Sequence, residues 1–234
     1  MLKGDLRKKQ ILDTAETLFA ERGYDSTSVQ DILDLLQLSK GSFYHHFESK
    51  EQILQILCET KAVNAAEHFS VPSADNGTDC MNCVLFEMLP LHDEGLSILK
   101  VILSASALPE GIKIRSEFQK VLKKVWLPSV IKALEQMNDR GEAFTILTEE
   151  TAAICLDLMN DLWIRIADEI FIAEKTGGKA SPAKLLQIIV PYRTAMENLF
   201  SAAYGSIYLI GPDVLTTLSD EIHRWWSSLQ KHRL

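Results

Sequence analysis

From Ser39 to Lys50 the chain reads SKGSFYHHFESK, a lysine, a bare glycine, hydroxyls and imidazoles set around two phenylalanines. If Phe43 and Phe47 form an apolar side, then Lys40, Gly41, Ser42, Tyr44, His45 and His46 divide between packing and an outward face. Such a face suits the edges of base pairs. A lysine donates to O6 and N7 of guanine, and a serine is short enough to bond to either partner of a pair. A glycine lets the backbone come close to a base or a thymine methyl. Tyr44, His45, His46 and Lys50 carry donors suited to phosphate oxygens, which fix a protein on a duplex without reading its sequence. The competing reading is a short helix whose aromatic groups serve only as packing.

The elements that must position these groups are local and legible. Ile11, Leu12, Ala15, Leu18 and Phe19 recur at helical spacing between about Asp5 and Arg22, and Gly23 stands where a helix stops. Short helices follow from Ser28 to Leu36 and from Ser39 to about Phe47, joined tightly near Gln37-Leu38, the length scale of a helix-turn-helix. Ser28 can cap the second helix, with Asp31 three residues on as the acid of a capping box, and Ser39 can cap the third. The third helix is too short to hold itself, so Phe43 and Phe47 must dock on its neighbours. A long helix then runs from near Ser49 to about Phe69, carrying Ile53, Ile56 and Leu57 on one side.

The run from Thr27-Ser28-Val29 through Asp31-Ile32 and Leu38-Ser39-Lys40-Gly41-Ser42-Phe43-Tyr44-His45-His46-Phe47 to Ser49-Lys50-Glu51 resembles the DNA-binding signature of the TetR (tetracycline-repressor) family. The resemblance covers about residues 6–57. It implies base-edge or groove contacts from Gln30, Lys40, Gly41 and Ser42, and phosphate contacts from Ser28, Ser39, Tyr44, His45 and Lys50. His46 matches a position that contacts phosphate or supports the helix. One departure stands out: the family's usual turn glycine is Gln37 here, preceded by Leu36; a non-glycine residue takes positive φ only at some cost, so the turn is expected to differ slightly from the family's.

The remaining chain reads as further helices, giving an all-α fold: a three-helix DNA-binding domain over residues 1–50 and a helical regulatory and dimerisation domain over 51–234. The stretch Val71 to Asp79 is a polar loop. Helices are expected at about Cys80–Leu89, Gly95–Ala107, Lys113–Asn138, Glu149–Glu174, Pro182–Tyr204 and Pro212–Gln230. Thr148, Ser181 and Gly211 mark three helix starts, while Pro128 and Pro191 should kink or break the helices that hold them.

Composition narrows the class. The net charge of −8 argues at first against nucleic acid, but residues 1–50 hold seven Lys/Arg against eight Asp/Glu, so most of the excess acid lies in the body. No apolar run approaches the roughly 18 residues of a membrane span, and the first residues lack the core of a signal peptide, so the cytoplasm is the expected location. No phosphate loop, G-x-S-x-G or HExxH motif points to an enzyme, and no cofactor is expected.

Three features of the body invite function. Cys80 and Cys83 form a CxxC at a helix start, which suggests a redox or metal role; a zinc site needs further ligands that the neighbouring sequence does not offer, so no metal is expected. Phe86, Met88, Trp126, Met159, Trp163 and Tyr192 suit an apolar effector cavity between helices, although each alone reads as core. Arg165 and Arg193 lie in apolar helices, with Asp161 or Asp168 as the simplest partners.

The expectation is therefore a homodimer on a palindromic operator in double-stranded DNA, a repressor released by a small-molecule effector. The resemblance implies pairing through the helices Glu149–Glu174 and Pro182–Tyr204. The rival readings are a DNA binder controlled by a protein partner or by no ligand, and an enzyme.

Overall fold

A computed structural model describes residues 3–69, 76–88, 100 and 109–231. Among the described residues the chain forms nine helices and no strand: α1 Lys3–Arg22, α2 Val29–Leu36, α3 Lys40–Tyr44, α4 Lys50–His68, α5 Gly77–Glu87, α6 Pro109–Asp139, α7 Thr148–Lys175, α8 Pro182–Phe200 and α9 Pro212–Lys231. The helix expected over Gly95–Ala107 and most of the loop expected over Val71–Asp79 lie outside the described residues.

One core closes the N-terminal part. Ile11, Ala15, Leu18 and Phe19 of α1 meet Ile32 and Leu33 of α2, Phe43 and Phe47 at α3, and Ile53, Leu54, Leu57 and Cys58 of α4. The helix α1 ends at Gly23, whose φ of 85° is left-handed and whose N–H returns to the Phe19 carbonyl. Tyr24 then folds back, buried and edge-on to Phe19 at 5.0 Å. The first turns of α4 thus belong to this core although α4 also leads into the body.

A second core joins α5 to α9. Cys80, Met81, Val84 and Leu85 of α5 pack with Trp126, Val130, Leu134 and Met137 of α6, and with Cys155, Leu156, Met159 and Leu162 of α7. Gly77 permits the closest approach: a Cβ there would lie 2.6 Å from the Met137 backbone nitrogen. Buried Glu197 fixes the turn after α8 by accepting from the N–H groups of Gly205 and Ile207.

Of the kink or break expected at Pro128 and Pro191, the break does not occur: α6 and α8 continue through both prolines. In α8 the buried Leu185, Ile189, Met196 and Phe200 hold both sides of the proline, which offsets the one hydrogen bond it removes. The helix expected to reach Tyr204 stops at Phe200, because Ser201 turns left-handed (φ 51°) and the Ala202 N–H bonds back to the Glu197 carbonyl.

Candidate nucleic-acid interface

The second helix begins on a complete capping box. Ser28 is extended (φ −95°, ψ 161°), its Oγ accepts from the Asp31 N–H at 3.1 Å, and its own N–H donates to the Asp31 carboxylate at 2.7 Å. The bond from the Ser28 hydroxyl, followed by that from its backbone, holds the Asp31 carboxyl below its ordinary range. At the other end Gln37 sits at φ 52° and ψ 46°. Its N–H and that of Leu38 return to carbonyls of the last turn, so the geometry usually reserved for glycine is kept. The cost of a side chain in that region is about 1–2 kcal/mol.

The third helix is shorter than the Ser39–Phe47 stretch, because regular helix ends at Tyr44 and the chain turns through His45 and His46. The Ser39 Oγ caps it by accepting from the Ser42 N–H at 3.3 Å. Phe43 and Phe47 are fully buried and clamp α3 against the core, so the remaining side chains have a fixed direction. Ser39, Lys40, Gly41, Tyr44 and His45 are exposed, while Ser42 and His46 are half-buried.

Gly41 is informative because the protein itself does not require it. A Cβ there would meet only the Ser39 Oγ, at an ordinary 3.9 Å. Its φ is not left-handed, and glycine within a helix costs roughly 1 kcal/mol against alanine. Nothing in the surrounding packing therefore calls for glycine at this position. His46, by contrast, lies beside Gly4 at the start of α1 and edge-on to His45 at 5.0 Å, which suits support of the fold.

The other residues singled out in the sequence are more engaged. Exposed Gln30 donates to Asp34 at 2.7 Å along α2. Lys50 turns inward: its Nζ donates to the carbonyls of Tyr24 (2.8 Å) and Thr27 (2.9 Å) and lies 4.0 Å from the Tyr24 ring centroid. The phenol of Tyr24 donates in turn to Glu51 at 3.1 Å. This lysine ties α4 to the turn between α1 and α2. Sequence reasoning passed over Lys8, whose ammonium lies 5.9 Å from the Phe47 ring centroid, beside the end of the third helix. Its signal was the run Arg7-Lys8-Lys9 in a head otherwise balanced in charge.

In the body, Met88, Trp126 and Met159 are buried within the second core, and Phe86, Trp163 and Tyr192 pack partly exposed against it. None of the six lines the cleft of about 470 Å³ formed by Gln119, Lys120 and Lys123 of α6 with Asp157, Asn160, Asp161 and Ile164 of α7. Three of the charged groups bordering this cleft are held by other side chains. Lys123 reaches both Asp157 oxygens at 2.8 Å, and Asp161 accepts from Tyr192 and from Arg165. Those two donors, Tyr192 first, hold the Asp161 carboxyl below its ordinary range. Arg165 thus has the carboxylate expected for it, whereas Arg193 faces Glu197 at 3.8 Å rather than Asp161 or Asp168.

Cys80 is buried and Cys83 exposed. Desolvation raises the Cys80 thiol above its ordinary value, and burial pushes those of Cys58 and Cys155 up to about 12. Among the described residues no three His, Cys, Asp or Glu side chains gather as metal ligands. No described helix is long and apolar enough to cross a membrane.

Known proteins resemble this chain in two ways. A family model for bacterial regulatory proteins of the tetR family matches residues 11–57. The HTH-type transcriptional repressor KstR2 of Rhodococcus jostii is 52% identical over 48 residues, 20% of this chain and 24% of its own length. The negative transcriptional regulator of the biofilm operon icaADBC, IcaR, from Staphylococcus epidermidis is 29% identical over 118 residues, 50% of this chain and 62% of that protein. The chain thus matches about a quarter of the first relative's length and under two thirds of the second's.

The whole fold has parallels among solved structures. A TetR-family transcriptional regulator from Pectobacterium atrosepticum superposes with a TM-score of 0.58 at 18% identity, covering 86% of this chain and 98% of that one. Salmonella enterica GusR gives 0.56 at 18% identity, covering 86% and 99%. The sequence match to the tetR family of bacterial regulatory proteins is thus confined to residues 11–57, centred on the capped helices that hold Lys40 and Gly41, while the all-helical architecture is shared with the solved structures along most of the chain.

Proposed function

We propose that the protein is a sequence-specific DNA-binding transcription regulator, and that α3 is its reading element. The observation that carries this is the exposed row Lys40, Gly41, Tyr44 and His45 on a helix held rigidly by Phe43 and Phe47, with a glycine for which the chain has no internal use. In the major groove Lys40 donates to guanine, Gly41 admits a close backbone approach, and Ser42 and Gln30 contact the groove edge. Tyr44, His45, Ser28 and Ser39 hold phosphates, and His46 supports α3. Lys50 positions the head through its two carbonyl bonds rather than by meeting a phosphate.

The functional division falls at residue 50, with 1–50 binding DNA and 51–234 regulating and dimerising. Two copies pair through α7 and α8, which expose Ile154, Ile172 and Val190 to solvent in the single chain. Pairing sets the two reading helices about 34 Å apart, or a multiple of it, on one face of a palindromic operator. The names of KstR2 and IcaR, a repressor and a negative regulator, support repression as the outcome. Release follows when a small molecule occupies the body beside Phe86, Trp163 and Tyr192, with Met88, Trp126 and Met159 behind them. It acts only if it binds the two states of the body with different affinity.

Selection of the full-length protein on a random duplex library tests this. A two-fold symmetric site should be enriched, and Lys40→Ala should lower its preference by about 1–3 kcal/mol at one base pair of each half. Enrichment of the same site with the same preference by the variant would reject α3 as the reading element.

A further inference from the structure

The last carbonyls of a helix have no partner within it. At the end of α1 one of them, that of Ala20, accepts the indole N–H of Trp225 at 2.9 Å. Trp225 belongs to α9, at the far end of the sequence, so the bond crosses from the body to the head without passing through α4. The same helix is fixed to the body at several heights. Ser219 donates to the Ala180 carbonyl at 2.5 Å, Lys179 pairs with Asp220, and His223 meets the buried Glu174 at 2.8 Å. Trp226 stands edge-on to Phe171 of α7 at 5.7 Å and to Trp225 at 5.9 Å. A continuous path of packed rings and hydrogen bonds therefore joins α7 to α1.

The covalent route from body to head is α4, which grips α1 through Lys61 and Glu16 at 2.7 Å. A head attached along one helix retains freedom to pivot about it. A second attachment, away from that axis, removes the pivot. We infer that α9 is a strut that sets the angle of the DNA-binding head relative to the body, acting in parallel with α4. A change in α7 thereby reaches α1 through Trp225, and the strut makes the protein selective for one spacing of half-sites. The spacing consequence rests on the DNA-binding function proposed above; the strut itself does not.

The test uses the full chain and Trp225→Phe, which keeps an aromatic ring and removes the donor, with Trp226→Phe as the control because the Trp226 N–H has no partner. Hydrogen exchange in the second half of α1 should quicken about fivefold in Trp225→Phe, the effect of losing one hydrogen bond, while α5 to α8 stay unchanged. Trp226→Phe should leave α1 as it is. On palindromes of varied spacer the wild type should favour one spacing at least tenfold, and Trp225→Phe should flatten that preference to a few-fold. Unchanged exchange in α1 would overturn the strut. A wild type that binds no palindrome would defeat the DNA reading and leave the exchange result standing. A wild-type measurement guards against a variant that does not fold: the Trp225 indole proton should be protected from solvent exchange, and free exchange of that proton would equally overturn the strut.

Discussion

The head and the body treat their exposed polar groups differently. On the body, several charged side chains at the surface bond to a side chain of another turn or another helix: Lys123 to Asp157, Arg165 and Tyr192 to Asp161, Lys179 to Asp220. On the head, the polar groups that hold the fold are turned to the backbone, as with Ser28, Ser39 and Lys50, while the face of α3 keeps an unneeded glycine beside exposed Lys40, Tyr44 and His45. A surface whose groups satisfy one another is complete as it stands. One whose composition serves nothing inside the chain points to something outside it.

The strongest way to break this contrast is to remove the anchor under the face. Phe43→Ala should cost about 3–5 kcal/mol, because a fully buried ring leaves a cavity in a small core. The two cores are built from separate residues, so hydrogen exchange should collapse in α1 to α3 and persist in α5 to α8. Equal loss in both would show a single cooperative core and erase the distinction.

Lys50→Met sharpens the assignment of roles within the head. Losing two charge-assisted bonds to carbonyls should cost roughly 1.5–3 kcal/mol in denaturant unfolding of the head. Measured at a temperature where the variant is folded, the slope of log affinity against log salt should equal that of the wild type. A fall of about 0.9 in that slope would return Lys50 to the phosphate contacts.

The body offers the weaker counterpart. Lys123→Ala breaks an exposed ion pair, so stability should shift by less than about 1 kcal/mol, and less again in high salt. A larger loss would mean that the cleft it borders is a structural joint.

The smallest effect concerns acid. Asp31 has its folded pKa lowered by its bonds to Ser28, so its contribution is present above the unfolded carboxylate value and is lost as pH falls through the lower folded one. The helicity of α2 should therefore weaken only in strongly acid solution, and Asp31→Asn should remove that dependence. An unchanged acid profile in the variant would place the titration elsewhere.

What could be read from the sequence follows the reach of each interaction. The caps Ser28 and Ser39, the stop at Gly23 and the strained turn at Gln37 depend on partners within about five residues, and the types and spacing expose them. The row on α3 was legible for the same reason, once Phe43 and Phe47 defined its inner side. The inward bonds of Lys50 were not, because its acceptors, the carbonyls of Tyr24 and Thr27, lie more than twenty residues back and come within reach only after the turn forms. The partner of Trp225 lies 205 residues away, beyond any periodicity. In the body, Pro128 and Pro191 left a kink and a break both open, because local propensity cannot show the packing that carries each helix past them.

Gly41→Ala tests the central claim most directly, because it separates what the chain needs from what its partner needs. The added methyl meets only an ordinary contact within the protein and raises helix propensity, so thermal stability should hold or rise by as much as about 1 kcal/mol. Affinity for the selected operator, measured on the same sample, should fall at least tenfold, which is about 1.4 kcal/mol, because the backbone of α3 no longer reaches the base edges. A variant as stable as the wild type that binds the operator equally well would contradict the reading of this face as the one that meets DNA.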